Sequence, residues 1–365
     1  MKNTQRKIKV MFITPYFPPN IGGVQNYVYN IAKGFSKTEG WDIVIITSTK
    51  NNKIEIEKTK DMLIYRLPTL FVFSNTPINP FWYFQIKNII EKEKPDLINA
   101  HSPVPFMADI SVIASGTIPF ILTYHSGTMG KKIFILDLFI NIYEKFLFPF
   151  TVNRTKRVIC SSNFVKTTVM KNFINKSTVV HPGVDTMQFK PGKKENTEKS
   201  VLFIGRQKSY EMKGLYQLID AMKMLPDVNL KIIGEKMYTE QKNIKFLGIK
   251  TGNHLVKEIQ NSTVLVLASL AHTESFGMVI IEAMACGIPV IGTDIGGIPE
   301  TIVNGQDGII VPPANSEALA SAIRSIVNDP ELARRMGKSG YYKVRKEFNW
   351  ESRIRKTKEI FSQYI

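Results

Sequence analysis

The chain has 365 residues, 44% of them apolar and 22% charged, which is too long for one ordinary core and too apolar for a disordered chain. Its net charge is +17, concentrated in residues 1–190, where 24 Lys and Arg face 12 Asp and Glu. Such a surplus suits nucleic acid, an anionic membrane or an anionic substrate, and alone does not choose among them. Two distant cysteines, Cys160 and Cys286, exclude a disulfide scaffold and a cysteine metal site, and point to a reducing compartment.

In chain order, the basic start leads into an apolar run broken by Lys9 and ended by Pro15, which reads as a first strand and not a signal peptide. Strands are expected at Ile8–Thr14, Ile43–Thr47, Leu97–Ala100, Phe120–Tyr124 and Val158–Ser161, with helices at Val24–Ser36, Phe81–Glu93 and Phe164–Phe173. Near-continuous apolar strands alternating with helices predict a parallel sheet covered on both faces. Residues 191–200 hold no apolar side chain and read as a linker. The alternation restarts with strands Val201–Gly205, Leu230–Gly234, Ile244–Leu247, Thr263–Ala268 and Pro289–Gly292, then helices Ser316–Val327, Pro330–Arg345 and Trp350–Phe361. The expectation is an α/β chain of two Rossmann-like doubly wound domains, 1–190 and 191–346. No stretch is long and uncharged enough to span a bilayer. The location expected is the cytoplasm.

Such sheets bind ligands beyond the carboxyl ends of their strands, so chemistry is sought there. Gly22-Gly23-Val24 opens a helix after the first strand, where glycines let backbone approach a phosphate or simply make a tight turn. Arg206 ends the first strand of the second half, and Lys213-Gly214 precedes its next helix, two cations suited to a diphosphate. Glu274-Ser-Phe-Gly-Met-Val-Ile-Ile-Glu282 joins a strand to a helix; Ser275 and Gly277 offer amides, and Glu282 sits about five residues into that helix. His125, in Tyr124-His-Ser-Gly127, ends a strand, as does His101. There is no Asp-x-Asp, zinc cluster, P-loop or Gly-x-Ser-x-Gly, so no metal is expected and the charge on a diphosphate falls to Arg206, Lys213 and helix amides. No recognised nucleic-acid module appears.

In combination these segments resemble the retaining glycosyltransferases of family 4, with the GT-B fold. The resemblance covers nearly the whole chain and adds His181-Pro-Gly-Val-Asp185, Phe203-Ile-Gly-Arg206, Cys286-Gly-Ile-Pro-Val290, Asp294-Ile-Gly-Gly-Ile-Pro-Glu300 and Asn304-Gly-Gln-Asp-Gly308. It implies two domains facing across a cleft, with a UDP- or GDP-sugar donor between them and no cofactor. Arg206 and Lys213 would meet the diphosphate, with Gly22 and Gly23 approaching from the first domain. Glu282 would meet the ribose and Glu274 the transferred sugar. Ser275, Phe276, Gly277, Met278 and Val279 would line the phosphate–sugar region, and His125 would lie near the anomeric centre. It also implies that the helix from about 347 to 365 packs back on the first domain. Two departures stand out: the stretch from Arg206 to Lys213 is long, and Ile233-Gly-Glu-Lys236 replaces the family's usual turn near the base. A same-fold nucleotide-sugar 2-epimerase, or a non-catalytic nucleotide-sugar binder, are the rival readings.

The acceptor implied is a glycan or a lipid-linked molecule. Residues 131–148 have polar side chains at 137, 141, 144 and 145 on one narrow helical face and a wide aromatic face. Lys131, Lys132, Arg154, Lys156 and Arg157 flank them. Either this is a core helix or it lies on an anionic membrane at its inner face. The aromatic, proline-containing stretch Leu70–Phe84 favours the second reading slightly.

Overall fold

A computed structural model describes residues 6–20, 22–74, 76–130, 134–193 and 198–365. Lys131 and Lys132, and residues 194–197 of the expected linker, lie outside the described residues. The chain divides into two units, residues 1–181 with 350–365, and residues 182–349. The first unit closes nine residues earlier than the expected boundary at 190.

The first unit carries strands β1 (Ile8–Ile13), β2 (Trp41–Thr49), β3 (Glu55–Lys58), β4 (Leu63–Pro68), β5 (Phe71–Phe73), β6 (Thr76–Ile78), β7 (Leu97–Ser102), β8 (Phe120–Tyr124), β9 (Arg157–Cys160) and β10 (Ser177–Val179). Eight of them form a sheet in the order β10-β9-β8-β7-β1-β2-β4-β3, parallel except for β3, while β5 and β6 pair as a separate hairpin. Side-chain alternation sends Val10 and Phe12 of β1 into one core layer and Met11 and Ile13 into the other. The first layer is covered by α1 (Gly23–Ser36) and the C-terminal helix Trp350–Phe361. Gly34 permits their close approach, because a Cβ there would lie 2.0 Å from Ile354 Cδ1. The other layer is covered by α2 (Trp82–Glu93), α3 (Met107–Ala114) and the segment α4 (Phe134–Ile142), a π-turn (Tyr143–Leu147) and α5 (Phe148–Arg154). The helix expected over Phe164–Phe173 is instead a π-turn at Val165–Val169 and a 3₁₀ stretch at Lys171–Lys176, with Phe173 outside helical geometry. That region is rich in β-branched residues (Val165, Thr167, Thr168, Val169), which crowd a regular helix.

The second unit contains β11 (Ser200–Ile204), α6 (Leu215–Lys223), β12 (Asn229–Ile233), β13 (Ile244–Gly248), α7 (Gly252–Gln260), β14 (Val264–Leu267), α8 (Met278–Ala285), β15 (Val290–Thr293), β16 (Gly308–Val311), α9 (Ser316–Val327) and α10 (Pro330–Glu347). Its sheet is wholly parallel in the order β13-β12-β11-β14-β15-β16. In local numbering this is 3-2-1-4-5-6, the doubly wound order, with winding reversed between β11 and β14. A reversal of that kind sends the two following loops to opposite faces and opens a crevice between them. In the first unit the reversal falls between β1 and β7.

Helix α10 is held by two features that pattern reading passes over. Asp307, inside the Asn304–Gly308 turn, is buried and accepts from Lys343 Nζ at 3.0 Å and from Val303 N at 2.7 Å. Gly337 lies against the loop after α8, where a Cβ would stand 2.0 Å from the Gly287 carbonyl oxygen. Alanine in a helix is ordinarily favoured over glycine by roughly 0.5–1 kcal/mol. Here Gly337→Ala is expected to destabilise by about 1–3 kcal/mol through overpacking against backbone. Thermal unfolding checks the sign, which reverses if α10 can move away.

Candidate active site

In the second unit the two loops that flank the reversal are residues 205–214, after β11, and 268–277, after β14. The first begins with Gly205, whose amide donates to Ile233 O at 3.0 Å, and passes through a 3₁₀ turn at Gln207–Ser209. It reaches α6 at Gly214, which has φ +70°, and a Cβ there would stand 1.8 Å from the Ala268 carbonyl oxygen. Leu270 N also donates to Met212 O at 2.8 Å, so the two loops are joined backbone to backbone. Lys213 is thereby turned back along β11, its Cδ 3.5 Å from the point where a Gly205 Cβ would be.

Arg206 is half exposed and not a lone cation. Its Nε donates to Glu235 Oε1 at 2.6 Å, and Gln207 N donates to the other oxygen at 2.7 Å. The Gln207 amide, and then the guanidinium, hold the Glu235 carboxyl below its usual range. Tyr210 OH donates to the Glu235 carbonyl at 2.5 Å, and Gly234 leaves room for that hydroxyl, since a Cβ would stand 2.2 Å from it. The unusual Ile233–Lys236 turn and the long stretch from Arg206 to Lys213 therefore fit each other, Glu235 binding one and Tyr210 the other.

Glu274 Oε1 accepts from Gly277 N at 3.1 Å. The Gly277 amide, expected to hold phosphate, is thus engaged by the chain's own carboxylate. Phe276 is buried against Phe348 with ring centroids 5.4 Å apart, so its side chain belongs to the core and not to a ligand surface. Met278 and Val279 are partly buried beside that core. Glu282, the fifth residue of α8, is half-buried; burial pushes its carboxyl up to about 7, with Lys213 opposing the shift. Lys213 and Glu282 therefore feel one another's charge. Beneath residues 274–276 runs the Gly296-Gly297 turn: Gly297 N donates to Glu274 O at 3.0 Å. Cβ atoms at 296 and 297 would lie 2.1 Å from Glu274 O and 1.9 Å from Ser275 O. Sequence reading quoted those glycines without giving them this role.

In the first unit, Gly22 and Gly23 follow β1 at its reversal point. Gly22 is extended, and the space where a Gly23 Cβ would stand is open. His101, at the end of β7, joins His125, just after β8, through Nδ1 and Nε2 at 2.8 Å. The planes differ by 15° and the centroids are 5.1 Å apart, which together with that short nitrogen contact means rings edge to edge in a shared plane. Tyr27 packs its ring 4.7 Å from His125, Phe12 lies against His101, and Trp350 of the C-terminal helix abuts Tyr27. His101 Nε2 is buried with no partner among the described residues. Were His125 the donor, neutral His101 would carry its proton on that partnerless nitrogen; the opposite arrangement leaves only an unused lone pair. His101 therefore donates from Nδ1, and neutral His125 carries its proton on Nδ1. The sequence put both histidines at strand ends and gave a role to His125 alone; their pairing across adjacent parallel strands is what it could not show.

Buried polar atoms without partners gather at strand ends in both units: Thr47 Oγ1, His101 Nε2, Ser161 Oγ and Ser269 Oγ are four of eight among the described residues. No cluster of three or more His, Cys, Asp or Glu that could hold a metal ion occurs among them.

Two parallel-sheet units with their functional loops at strand carboxyl ends are the GT-B class of glycosyltransferase architecture. Residues 184–343 match the family described as Glycosyl transferases group 1, and residues 21–188 match Glycosyltransferase Family 4. The chain is 29% identical over 367 residues to an uncharacterised glycosyltransferase of Methanocaldococcus jannaschii, covering 98% of both. It is 24% identical to the D-rhamnosyltransferase WbpZ of Pseudomonas aeruginosa, covering 92% of this chain and 91% of that one. Among solved structures, Anabaena HepE in complex with UDP-glucose superposes with a TM-score of 0.75 at 18% identity, covering 98% of this chain and all of that one. The chain belongs to glycosyltransferase family 4 and is a glycosyltransferase.

Burial pushes the His125 imidazole down to about 3 and His101 well below the usual range, the latter helped by repulsion from His125. A depressed imidazole pKa means the unfolded chain takes up protons first, so stability falls as pH drops from about 6.5 towards about 3. Urea midpoints across that window are expected to fall less steeply for His125→Gln than for the parent chain. Parallel slopes would remove the His pair as the cause.

Proposed function

We propose that this enzyme transfers a hexose or N-acetylhexosamine from a UDP- or GDP-sugar to a glycan or lipid-linked acceptor, with retention of configuration and without a metal ion. One observation carries the reading: the reversal in the second unit is flanked on one side by Arg206 and Lys213 and on the other by the Glu274–Glu282 segment, the two loops being joined from Leu270 N to Met212 O at 2.8 Å. The complex of HepE with UDP-glucose supports a nucleotide-sugar donor for this fold.

In this reading Lys213 and the Nη groups of Arg206 neutralise the diphosphate, and Glu282 accepts from the ribose hydroxyls. Glu274 exchanges its bond from the Gly277 amide for hydroxyls of the transferred sugar, which frees that amide for phosphate. Ser275 and Gly277 then act through backbone, as does Phe276, while Met278 and Val279 begin the helix whose N-terminus faces the phosphates. Gly23 leaves open space at the start of α1, where backbone amides can meet a phosphate. His125, kept uncharged by burial, is the first unit's candidate for contact with the transferred sugar.

Cleaving the anomeric bond builds positive charge on the sugar and negative charge on the nucleoside diphosphate. Fixed cations and amides favour that separation more than the ground state. The diphosphate is a good leaving group and needs no protonating acid. A departing phosphate oxygen takes the acceptor hydroxyl's proton as the new bond forms on the same face.

The test is a panel of UDP- and GDP-sugars screened for thermal stabilisation, followed by incubation of the best donor with membrane lipid extract. The expected product keeps the donor's anomeric configuration by NMR and forms equally well with EDTA; inversion or loss with EDTA overturns the mechanism. An ionised carboxylate accepts more strongly than a neutral one, so nucleotide affinity should rise as pH passes through about 7 and lose that dependence in Glu282→Gln. Glu274→Gln should lower turnover more than nucleotide affinity; the reverse result would make it a binding residue.

A further inference from the structure

We propose that the first unit carries a built surface for an anionic lipid bilayer, formed jointly by the β5–β6 hairpin and the outer face of the 134–154 segment. Leu138, Ile142, Phe146 and Phe150 recur every four residues along that segment, with Phe139 beside them. Leu138, Phe139, Ile142 and Phe146 are each half or more exposed. The core reading of this segment holds only for its inner side, where Tyr143, Phe148, Thr151 and Val152 are buried. Asp109 of α3 fixes that side, accepting from Thr151 Oγ1 at 2.6 Å and from Tyr143 OH at 3.3 Å, so the apolar outer face cannot roll inward.

The hairpin extends the same surface. Leu70, Phe71 and Val72 are each more than half exposed, and Phe73 meets Phe139 edge to face at 6.3 Å. From Leu70 to Ile86 the sequence contains no charged residue. Two segments far apart in sequence thus expose large side chains in one contiguous patch, which soluble surfaces ordinarily avoid unless something covers it.

Charge selects the partner. Cations are set among the rings themselves: Arg154 lies 4.4 Å over Phe150, and Lys145 Nζ lies 5.5 Å over Phe146. Lys156 and Arg157 follow, against only Asp137 and Glu144 in residues 134–157. Cations above aromatic rings match a bilayer interface, with rings among acyl chains and cations at anionic headgroups. A second copy of this chain would bring equal basic rims together, in a unit that already carries a surplus of 12 over residues 1–190. Among the described residues no helix is long and apolar enough to cross a membrane, so the surface lies on the bilayer.

Flotation of the full-length protein with vesicles tests this without donor or acceptor, so its outcome is independent of the transfer reaction. Floating is expected with phosphatidylglycerol-containing vesicles, and much less with phosphatidylcholine alone or in high salt. Phe139→Ser with Phe146→Ser, and separately Phe73→Ser, should each reduce floating at least about tenfold, the scale of one or two lost apolar anchors. Lys145→Glu with Arg154→Glu should abolish the preference for anionic lipid. Unchanged thermal unfolding of each variant shows that the fold survives. Absence of floating with either vesicle, or floating of the Phe variants equal to the parent, overturns the proposal. So does lipid-free dimerisation that Phe139→Ser removes, which would assign the face to a second copy.

Discussion

Backbone lies on backbone at three places around the second unit's reversal point, and the site's geometry depends on those contacts. Gly214 rests on Ala268, Gly296 on Glu274 and Gly297 on Ser275, each with no room for a Cβ. A doubly wound sheet alone yields two diverging loops with free ends. These close approaches turn the loops into one rigid surface, with Lys213 on one rim and Glu274 on the other. Backbone contacts suit this purpose because a peptide unit has no rotamers to lose, so charge set upon it stays where it is put.

The charges upon that surface are arranged in opposed pairs. Arg206 is gripped by Glu235, and the charge of Lys213 opposes the upward push that burial gives the Glu282 carboxyl. An unpaired cluster of cations would repel itself before any ligand arrived. Partnering them with carboxylates lowers that cost and fixes their directions. The consequence is that an anionic ligand competes with internal carboxylates. On the proposed reading, affinity comes from the groups Glu235 leaves over, the Nη atoms of Arg206 and the Lys213 ammonium. Glu274 shows the same arrangement at the start of α8, its carboxylate accepting from the Gly277 amide.

Much of this was legible in residue order because parallel strands buried on both faces are written as unbroken apolar runs. Phe120–Tyr124 is read to the residue, and β11, β12 and β14 to within two. Short edge elements were not, since β3 carries three charges in four residues and β5–β6 reads as a proline-containing loop. The Phe164–Phe173 segment has the apolar spacing of a helix, but β-branched crowding shows only as a π-turn in three dimensions. At the site, sequence put Arg206 after β11, Lys213 before α6, Glu274 in the loop after β14 and Glu282 within α8, where the structure has them. It could not assign side chain against backbone, and so did not show that the Phe276 ring is buried in the core. Nor could it pair His101 with His125, which are 24 residues apart and become neighbours only through the β7–β8 register.

The first unit's chemistry is uncharged where it is buried and basic where it is exposed, and these two facts have a common origin. Burial beside Tyr27 and Phe12 keeps the His pair neutral, so this pair contributes no cation to a ligand. The basic surplus of residues 1–190 therefore does not come from this pair. Part of it stands among exposed aromatic rings at Phe146 and Phe150, where a hydrated cation and an apolar face are presented together. Water satisfies the first and not the second; a nucleotide satisfies the first and has no use for the second. An anionic interface with an apolar interior satisfies both, and a unit that rests there would meet lipid-linked acceptors by diffusion in two dimensions.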